Sequence, residues 1–197
     1  IKVTEPRLYY GENTNLNAIV NAKDIKEYDY PTSTLTNKEN NYNGKGGIKL
    51  SLLERIALAI TKGSTELIFN NNIVENTKVL LNRQIIERAK KILPNIRYDK
   101  DPYLVTKDDG GLAWVIDGYT VTSRYPYSQK VSIEAEKGGK ERINFIRNSV
   151  KVVVDAYNGT VDFYVTDTTD PFISTIMKTY PTLFKNYNEL SENIKKQ

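Results

Sequence analysis

Residues 142–167, RINFIRNSVKVVVDAYNGTVDFYVTD, predict a short helix that leads directly into a β-hairpin. The turn is predicted at Asn158-Gly159, because Asn-Gly between alternating apolar residues favours the positive φ angles of a two-residue turn. Counting outward from this turn pairs the apolar residues of one face, which are Ala156 with Val161, Val154 with Phe163 and Val152 with Val165. This face is predicted to be core. A slip of one residue would turn all of it to water, so the register is well specified.

The same counting places Asp155 opposite Asp162 on the other face of the hairpin. Carboxylates about 5 Å apart share a proton, bind a cation, or point away from each other into water. We favour the solvated pair, relieved by Lys151 on the same face. Calcium binding by Asp155 and Asp162 is the alternative hypothesis, and it rests only on the opposed charges. A spacing of about 5 Å would also suit a retaining glycosidase, but nothing in the sequence indicates the sugar cleft that such an enzyme needs.

Composition excludes several classes of function. The chain of 197 residues has no cysteine and no histidine, which excludes cysteine nucleophiles, Ser-His-Asp triads, disulfides and nearly all zinc, copper or haem sites. Any remaining chemistry would use carboxylates, Lys, Tyr, Ser or Thr, or a hard cation with oxygen ligands. The formal net charge is +4, but basic and acidic residues are interleaved, so no nucleic-acid-binding stripe is predicted. No apolar run reaches the roughly 20 residues that a membrane-spanning helix needs.

The first of three predicted amphipathic helices follows a loop rich in Gly and Asn. It begins at Ser51, which is expected to form a capping box with Glu54, and it ends at Gly63. The apolar residues that share one side of this helix are Leu52, Leu53, Ile56, Ala59 and Ile60. That side is predicted to face the core, and Leu58 falls on the polar side.

The other two helices are predicted in the middle and near the end of the chain. One spans about residues 77–93, with Arg88 interpreted as a surface arginine whose alternative is to reach inward. The other is capped by Asp170-Pro171. The polar tail, residues 181–197, is expected to fray.

A second hairpin is predicted from YLVTK at Tyr103 and LAWVIDGYTVT at Leu112, with apolar residues on both faces. This pattern indicates a strand pair covered on both sides. Together the elements predict an α+β fold, a mainly antiparallel sheet of hairpins with about three packed amphipathic helices. We expect one domain over residues 1–197, with an irregular and helical part at 1–75 and a helix-hairpin sheet at 76–197.

The sequence also contains an internal echo. VIDGY at Val115 parallels VVDAY at Val153, and each lies in a hairpin predicted to follow a helix. This indicates two copies of one helix-hairpin unit, which look like the PepSY modules of secreted bacterial proteins. The chain begins at Ile1 with neither Met nor a signal-peptide pattern, so we expect it to be a piece of a longer protein.

Two further segments are candidate binding sites. Lys45, Gly46 and Gly47 lie in a Gly-Lys-Gly-Gly loop before the first helix, where exposed N–H groups beside a lysine would suit an anionic envelope polymer. The favoured alternative is a tight entry loop, because the sequence lacks the spacing of a P-loop. Arg147 and Asn148, at the predicted junction of helix and strand, would orient a ligand. Alternatively, Asn148 ends the helix and Arg147 pairs with a carboxylate such as that of Asp155.

Several blocks, in this order and spacing, resemble the uncharacterised protein family UPF0182 of bacterial membrane proteins. They are PRLYYGE at Pro6, EYDYP at Glu27, YNGKGGIKLS at Tyr42, NRQIIERAKKI at Asn82, YDKDPYLV at Tyr98, WVIDGYT at Trp114, YPYS at Tyr125 and IRNSVKVVVDAYNGTV at Ile146. The resemblance implies a bundle of transmembrane helices followed by a large soluble region outside the cytoplasmic membrane. This chain would be the opening part of that region. The family supplies no catalytic residues to carry over.

These observations favour a non-enzymatic extracytoplasmic module that binds an envelope polymer or a membrane-protein partner, with attachment to the membrane through a preceding region. A carboxylate-based hydrolase of cell-wall polymer and a structural spacer are the alternatives. No catalytic residue, no cofactor other than Ca²⁺ and no nucleic-acid partner is predicted.

Overall fold

The computed structural model describes residues 2–31, 37–63, 66–136 and 138–196. Its helices are α1 (Leu52–Lys62), α2 (Glu66–Phe69), α3 (Ile85–Ile92), α4 (Pro171–Thr179) and α5 (Glu192–Lys195). Its strands are β1 (Ala18–Val20), β2 (Glu27–Pro31), β3 (Asn37–Asn40), β4 (Ile48–Lys49), β5 (Lys78–Leu80), β6 (Arg97–Tyr98), β7 (Tyr103–Thr106), β8 (Leu112–Thr122), β9 (Val131–Glu134), β10 (Lys140–Ile143), β11 (Phe145–Asp155), β12 (Val161–Val165) and β13 (Phe184–Asn186). The predicted α+β class is confirmed.

A six-stranded sheet in the second half of the chain organises the fold. Its order is β13-β12-β11-β8-β6, with β7 also paired to β8. Every pair is antiparallel except β12 with β13, which is parallel. The strands β1, β5 and β4 form a second sheet, while the β2–β3 and β9–β10 hairpins are two-stranded ribbons. The second sheet joins residues on both sides of position 75.

The apolar face of the β11–β12 hairpin is buried, as the sequence predicts. Val150, Val152, Val154 and Phe163 are fully enclosed in the main core. The helices α3 and α4 and the loop after α3 contribute further buried residues to this core, which are Ile85, Ala89, Leu93 and Ile173. Burying this face removes large apolar side chains from water, which stabilises the fold.

The register of the hairpin differs from the prediction by two residues. Val154 pairs with Val161 and Val152 with Phe163, so the same side chains face the core. The turn is longer than predicted because the Asp155 carboxylate accepts hydrogen bonds from the N–H groups of residues 157 and 158, at 3.0 and 2.6 Å. Within this turn only Gly159 has a positive φ, of 70°. A side-chain cap of this kind favours a loop over residues 156–159.

The helix predicted before the hairpin is wrong. Residues 145–155 form one continuous strand, β11, because β8 offers a partner along its whole length, from Thr122 to Ala113. Pairing with a neighbouring strand overrides the local helical pattern. The register shifts between Asn148 and Val150, where a bulge directs the buried Ser149 hydroxyl toward the Asp170 carboxylate.

The predicted orientation of α1 is also wrong. The helix spans the expected residues and Gly63 ends it at φ 65°, but the Ser51 side chain makes no capping hydrogen bond. Four of the five residues predicted to face the core are exposed, namely Leu52, Leu53, Ile56 and Ile60. The body of the protein instead contacts the side that carries Ala59 and Leu58. The helix has apolar residues on more than one side, so periodicity alone does not identify the buried one.

The second predicted helix is shorter than expected. Residues 78–80 form β5 between β1 and β4, and Asn82, at φ 51°, separates this strand from α3. Gln84 then caps α3 by accepting a hydrogen bond from the Glu87 N–H. The Arg88 side chain reaches inward, which was the alternative to a surface position. Its guanidinium donates to the carbonyl groups of Gly159 and Leu81, at 2.6 and 3.1 Å.

The C-terminal segment does not fray in the described residues. Asp170 caps α4 as predicted, by accepting a hydrogen bond from the Phe172 N–H. After α4, β13 adds to the edge of the sheet beside β12. Leu190 and Ile194 are buried against the second face of the sheet, on Val105, Val115 and Ala113. The predicted cover on both faces thus holds for β8, whose Ile116 lies in the main core on the other face, but not for β7, where Leu104 is exposed.

The two similar segments, VIDGY at Val115 and VVDAY at Val153, lie on the neighbouring strands β8 and β11. Val115 of β8 lies directly opposite Val153 of β11. Of the two hairpins, the β7–β8 hairpin follows a helix, α3, whereas the β11–β12 hairpin follows the β9–β10 ribbon. The second copy of the predicted helix-hairpin unit therefore lacks its helix.

Ion pairs connect the β9–β10 ribbon to the body of the protein. Lys90 lies 3.6 Å from Glu136, Lys100 lies 3.5 Å from Glu134, and the Arg97 guanidinium contacts the Glu141 carboxylate of β10.

High salt is expected to loosen this ribbon. Raising NaCl from about 0.05 M to about 1 M shortens the Debye length to about 3 Å. We expect hydrogen exchange of the ribbon amides to accelerate several-fold, because screening weakens exposed pairs. Amides of β11 are the internal control. Equal acceleration in both segments would contradict this prediction.

Candidate functional site

A cleft of about 470 Å³ opens beside the N-terminal segment. Its walls are residues 6–9, the strand β1 and the β2–β3 hairpin. Aromatic, acidic, basic and amide side chains line it together, which are Arg7, Tyr9, Glu27, Tyr28, Asp29, Tyr30, Asn40 and Arg83. A concave surface where several polar groups converge beside aromatic rings is the usual form of a small-ligand site.

A bulge in β2 brings three consecutive side chains to this cleft. Tyr28 pairs with Glu39 and Tyr30 pairs with Lys38, so Asp29 is the extra residue between them. Bulges re-aim side chains in this way and are frequent beside functional sites. Tyr28 is 61% exposed and Tyr30 47% exposed, and the Lys38 ammonium lies over the Tyr30 ring, 5.2 Å from its centroid, so Tyr28 is the more available of the two rings.

Arg7 and Asp29 form a charged fork on one wall. The Arg7 guanidinium donates from Nε and Nη2 to one Asp29 oxygen, at 3.1 and 2.8 Å. Its Nη1 donates to the Glu5 carboxylate at 3.0 Å. The hydrogen bond to Asp29 raises the pKa of the Arg7 guanidinium. The fork therefore holds a planar array of charge beside the tyrosine rings.

Tyr9 and Glu27 form a second polar pair deeper in the cleft. The Tyr9 hydroxyl donates to the Glu27 carboxylate and accepts from the Asn40 side-chain amide at 3.0 Å. Burial first, and then this carboxylate, raise the pKa of the Tyr9 phenol. Glu27 also accepts from the N–H groups of Asn21 and Tyr42, both at 3.3 Å. Glu27 thus fixes the hairpin against the N-terminal segment.

Arg83 provides a cation without a carboxylate partner among the described residues. Its guanidinium is half-buried and donates to the carbonyl groups of Tyr9 and Leu16, at 2.6 and 3.1 Å. Burial lowers its pKa, but an arginine keeps its charge at neutral pH. Carbonyl groups orient the side chain without neutralising it, so the cleft retains uncompensated positive charge at this point.

The Gly-Lys-Gly-Gly loop is occupied by contacts within the protein. The Lys45 N–H donates to the Asn158 side chain at 2.8 Å, and the Gly46 N–H donates to the Tyr42 hydroxyl at 3.0 Å. A Cβ atom at Gly46 would lie 2.4 Å from the Asn158 carbonyl oxygen, so the loop packs closely on the hairpin turn. Gly47, at φ 89°, leads into β4 and not directly into a helix. The geometry favours the structural interpretation of this loop.

Arg147 and Asn148 lie within the strand β11 and outside the lining of the cleft. Arg147 forms an ion pair with Asp167 at 3.3 Å, so the alternative that it pairs with a carboxylate is confirmed, with Asp167 as the partner in place of Asp155. The Asn148 carbonyl accepts from the Thr166 hydroxyl at 2.9 Å. Both residues therefore join β11 to the segment that follows β12.

Asp155 and Asp162 share a face of the sheet but are not directly opposed. Asp162 lies opposite Val153, a consequence of the shifted register. Each carboxylate has its own cation, Lys107 for Asp155 and Lys185 for Asp162, both at 2.8 Å. Within the described ranges, no three acidic side chains are grouped so that they could hold a metal ion. Calcium binding by Asp155 and Asp162 stays a prediction. The premise on which it rested, that the two carboxylates lie directly opposite each other, is wrong.

The residues of the cleft were not among those singled out from the sequence. The signal that could have identified them is the alternation of acid and tyrosine in EYDYP at Glu27, next to the Pro-Arg and Tyr-Tyr of PRLYYGE. Periodicity interprets both blocks as short edge strands. Only the tertiary contact between them and Arg83 creates a concave surface.

Comparison with known proteins identifies relatives but no activity. The sequence profile of the uncharacterised protein family UPF0182 matches residues 1–197. UPF0182 proteins of Clostridium novyi and Clostridium acetobutylicum are each 44% identical to the chain over 195 residues, which is 99% of the chain and 20% of the relative. A UPF0182 protein of Caldicellulosiruptor saccharolyticus is 46% identical over 185 residues, which is 94% of the chain and 19% of the relative.

The chain thus spans about a fifth of the length of these curated relatives. No solved structure matches it. In the part of the chain that the structure describes, no helix combines the length and the apolar character needed to cross a bilayer.

Proposed function

The chain belongs to the uncharacterised protein family UPF0182, and from this premise we propose that it is a non-enzymatic binding module. Its ligand is an acidic saccharide of the bacterial cell envelope, held in the cleft beside the β2–β3 hairpin. In the same proposal, the module lies outside the cytoplasmic membrane and belongs to a longer, multi-pass polypeptide. The resemblance of the sequence blocks and the fivefold greater length of the relatives support this setting.

One observation carries the proposal: exposed tyrosine rings stand beside fixed charged groups in a single cleft. Tyr28 and Tyr30 offer amphipathic faces on which the C–H side of a sugar ring packs. The Arg7–Asp29 fork presents donors and an acceptor in fixed positions, which suits the hydroxyl groups of the same ring. A purely apolar ligand would remove water from these charged groups without offering them hydrogen bonds in return.

Arg83 gives the cleft one position at which an acidic group of the ligand would pair, while Glu27, which also has no basic partner among the described residues, makes the four charged side chains of the lining neutral in sum. A carboxylate on the saccharide would pair with the half-buried guanidinium, which no described acidic side chain neutralises. Charge-assisted hydrogen bonds to a guanidinium are roughly twice as strong as neutral ones. A sugar that carries a lactyl or uronic carboxylate therefore fits better than a neutral sugar of the same size.

No observation favours the hydrolase alternative in the described residues. Its acid catalyst would have to be a carboxylic acid free to donate a proton to the scissile bond. Both carboxylates of the cleft are already acceptors, Asp29 from Arg7 and Glu27 from Tyr9. The spacer alternative predicts that the cleft binds nothing, so a binding measurement distinguishes it.

The test is calorimetric titration with two disaccharides. One is N-acetylglucosaminyl-N-acetylmuramic acid, which carries a carboxylate, and the other is the neutral N,N′-diacetylchitobiose. We expect the acidic probe to bind about tenfold more tightly, a difference of about 1.4 kcal/mol. Tyr28→Ala should weaken binding of the acidic probe by about tenfold or more, because the ring supplies stacking area.

Tyr127→Ala is the matched control, since Tyr127 is fully exposed and lies outside the cleft lining. It should leave both affinities unchanged. The absence of binding by either probe would contradict the proposal. So would equal affinities for the two probes, or equal effects of Tyr28→Ala and Tyr127→Ala.

A further inference from the structure

The helix α1 presents an apolar stripe to solvent. Leu52, Leu53 and Ile60 are 64%, 78% and 76% exposed, and Ile56 is also exposed. These positions lie within about 100° of one another around a helix with 3.6 residues per turn, so they form one continuous stripe. Soluble monomers rarely leave large apolar side chains grouped in this way unless the patch is used for binding.

The next helix, α2, carries another exposed apolar side chain. Phe69 at the end of α2 is also largely exposed. Arg55 ties the two helices together, because its guanidinium donates to the carbonyl groups of Ile68 and Asn70. The apolar stripe of α1 and Phe69 are therefore carried on a fixed pair of helices, held to the body by Ala59 and Leu58.

We infer that the apolar stripe of α1, formed by Leu52, Leu53, Ile56 and Ile60, is a docking surface for another region of the same, longer polypeptide. The length of the relatives supports this occupant. They match the chain over nearly all of its length and are about five times as long, so about four fifths of their polypeptide lies outside the structure. A contact within one polypeptide also avoids the translational entropy that a separate partner loses on binding.

Two other occupants fit the stripe less well. Stable interfaces between separate proteins need roughly 20–30 residues on each side, far more than the side chains of this stripe supply. Helices that lie on membranes carry a polar face rich in Lys and Arg. The sequence of α1, LLERIALAITK, has a single arginine, a single lysine and a glutamate, so it lacks such a face.

The test compares Leu53→Glu in the 197-residue chain and in the full-length UPF0182 protein that contains it. In the chain alone we expect no loss of thermal stability, because Leu53 already faces water. In the unsubstituted full-length protein, the amides of residues 52–62 should exchange at least about tenfold more slowly than in the chain alone. Leu53→Glu should abolish most of that extra protection.

Ala59→Glu is the matched control on the same helix. Ala59 is buried at the edge of the stripe, so this substitution should destabilise the chain alone, which verifies that α1 packs on the body through the side that carries Ala59 and Leu58. Equal exchange rates of residues 52–62 in the chain and in the full-length protein would overturn the inference. Dimerisation of the chain in sedimentation, or its flotation with anionic phospholipid vesicles, would also overturn it if Leu53→Glu abolished that association.

Discussion

Gly159→Ala is expected to lower the free energy of unfolding by about 3 kcal/mol. Gly159 ends the turn of the β11–β12 hairpin at φ 70°, a region that residues with a Cβ atom adopt only with strain. A Cβ atom there would lie 2.3 Å from the ring of Tyr10. That ring is buried and lies under the Arg88 guanidinium, 4.7 Å from its centroid. The ring has no room to retreat without disturbing both the core and Arg88.

Gly63→Ala separates the two causes. Gly63 has nearly the same φ, 65°, but in the described part of the chain no atom beyond its sequence neighbours lies within 4 Å of a Cβ built there. Gly63→Ala should lower the free energy of unfolding only by the cost of placing alanine at a positive φ, about 1 kcal/mol. Urea denaturation of the two variants measures both effects. A Gly159→Ala variant no less stable than Gly63→Ala would show that Tyr10 does not pack on the turn as described.

Alkaline pH is expected to unfold the protein steeply between about pH 10 and pH 12. Burial is the main cause that raises the pKa of several tyrosines, namely Tyr9, Tyr10, Tyr42 and Tyr98. For Tyr42 the pKa rises to about 12. A raised pKa in the folded state means that the folded protein keeps a proton which the unfolded chain loses. The stabilisation is complete below the unfolded pKa of about 10 and is lost as pH rises toward the folded pKa.

The slope of stability against pH measures this effect. Each tyrosine that titrates only in the unfolded chain contributes up to about 1.4 kcal/mol per pH unit. Tyr42→Phe should flatten the slope by about one proton, even though it also removes a hydrogen bond from the Gly46 N–H. A stability that stays constant from pH 9 to pH 12 would contradict the burial of these phenols.

The sequence predicts the faces of the main hairpin better than its register. Alternation of Val152 and Val154 with polar neighbours indicates the core side, and that side is buried. The turn length depends on the Asp155 carboxylate, which caps two backbone N–H groups. A rule based on Asn-Gly alone ignores this cap. The strand register is shifted by two residues, and a shift by an even number keeps the same side chains on the buried face. The prediction of the core is therefore correct even though the register is not.

The secondary-structure prediction is wrong where a segment pairs with a strand that is distant in the sequence. Residues 145–149 have a helical pattern but pair with β8, and residues 78–80 pair with β1 and β4. The predicted orientation of α1 is wrong for the same reason. Leu58 faces the body because it packs against Leu50, Ile73 and Val79, which come from other segments of the chain. Local sequence does not contain these partners.

The candidate site was predicted least well. Lys45, Gly46, Arg147 and Asp155 were singled out for their residue types, and each proves to have a partner within the protein. The cleft depends on contacts between segments far apart in the sequence, of which the hydrogen bond from Arg83 to the Tyr9 carbonyl is one. Single short motifs do not reveal a surface of this kind.

The most direct test of ligand recognition by the cleft is a titration of the ¹⁵N-labelled chain with N-acetylglucosaminyl-N-acetylmuramic acid, followed by amide chemical shifts. We expect the largest shifts at Tyr28, Asp29 and Tyr30, in the strand that lines the cleft. Shifts confined to Gly46 and Arg147, or no shifts at saturating disaccharide, would contradict it.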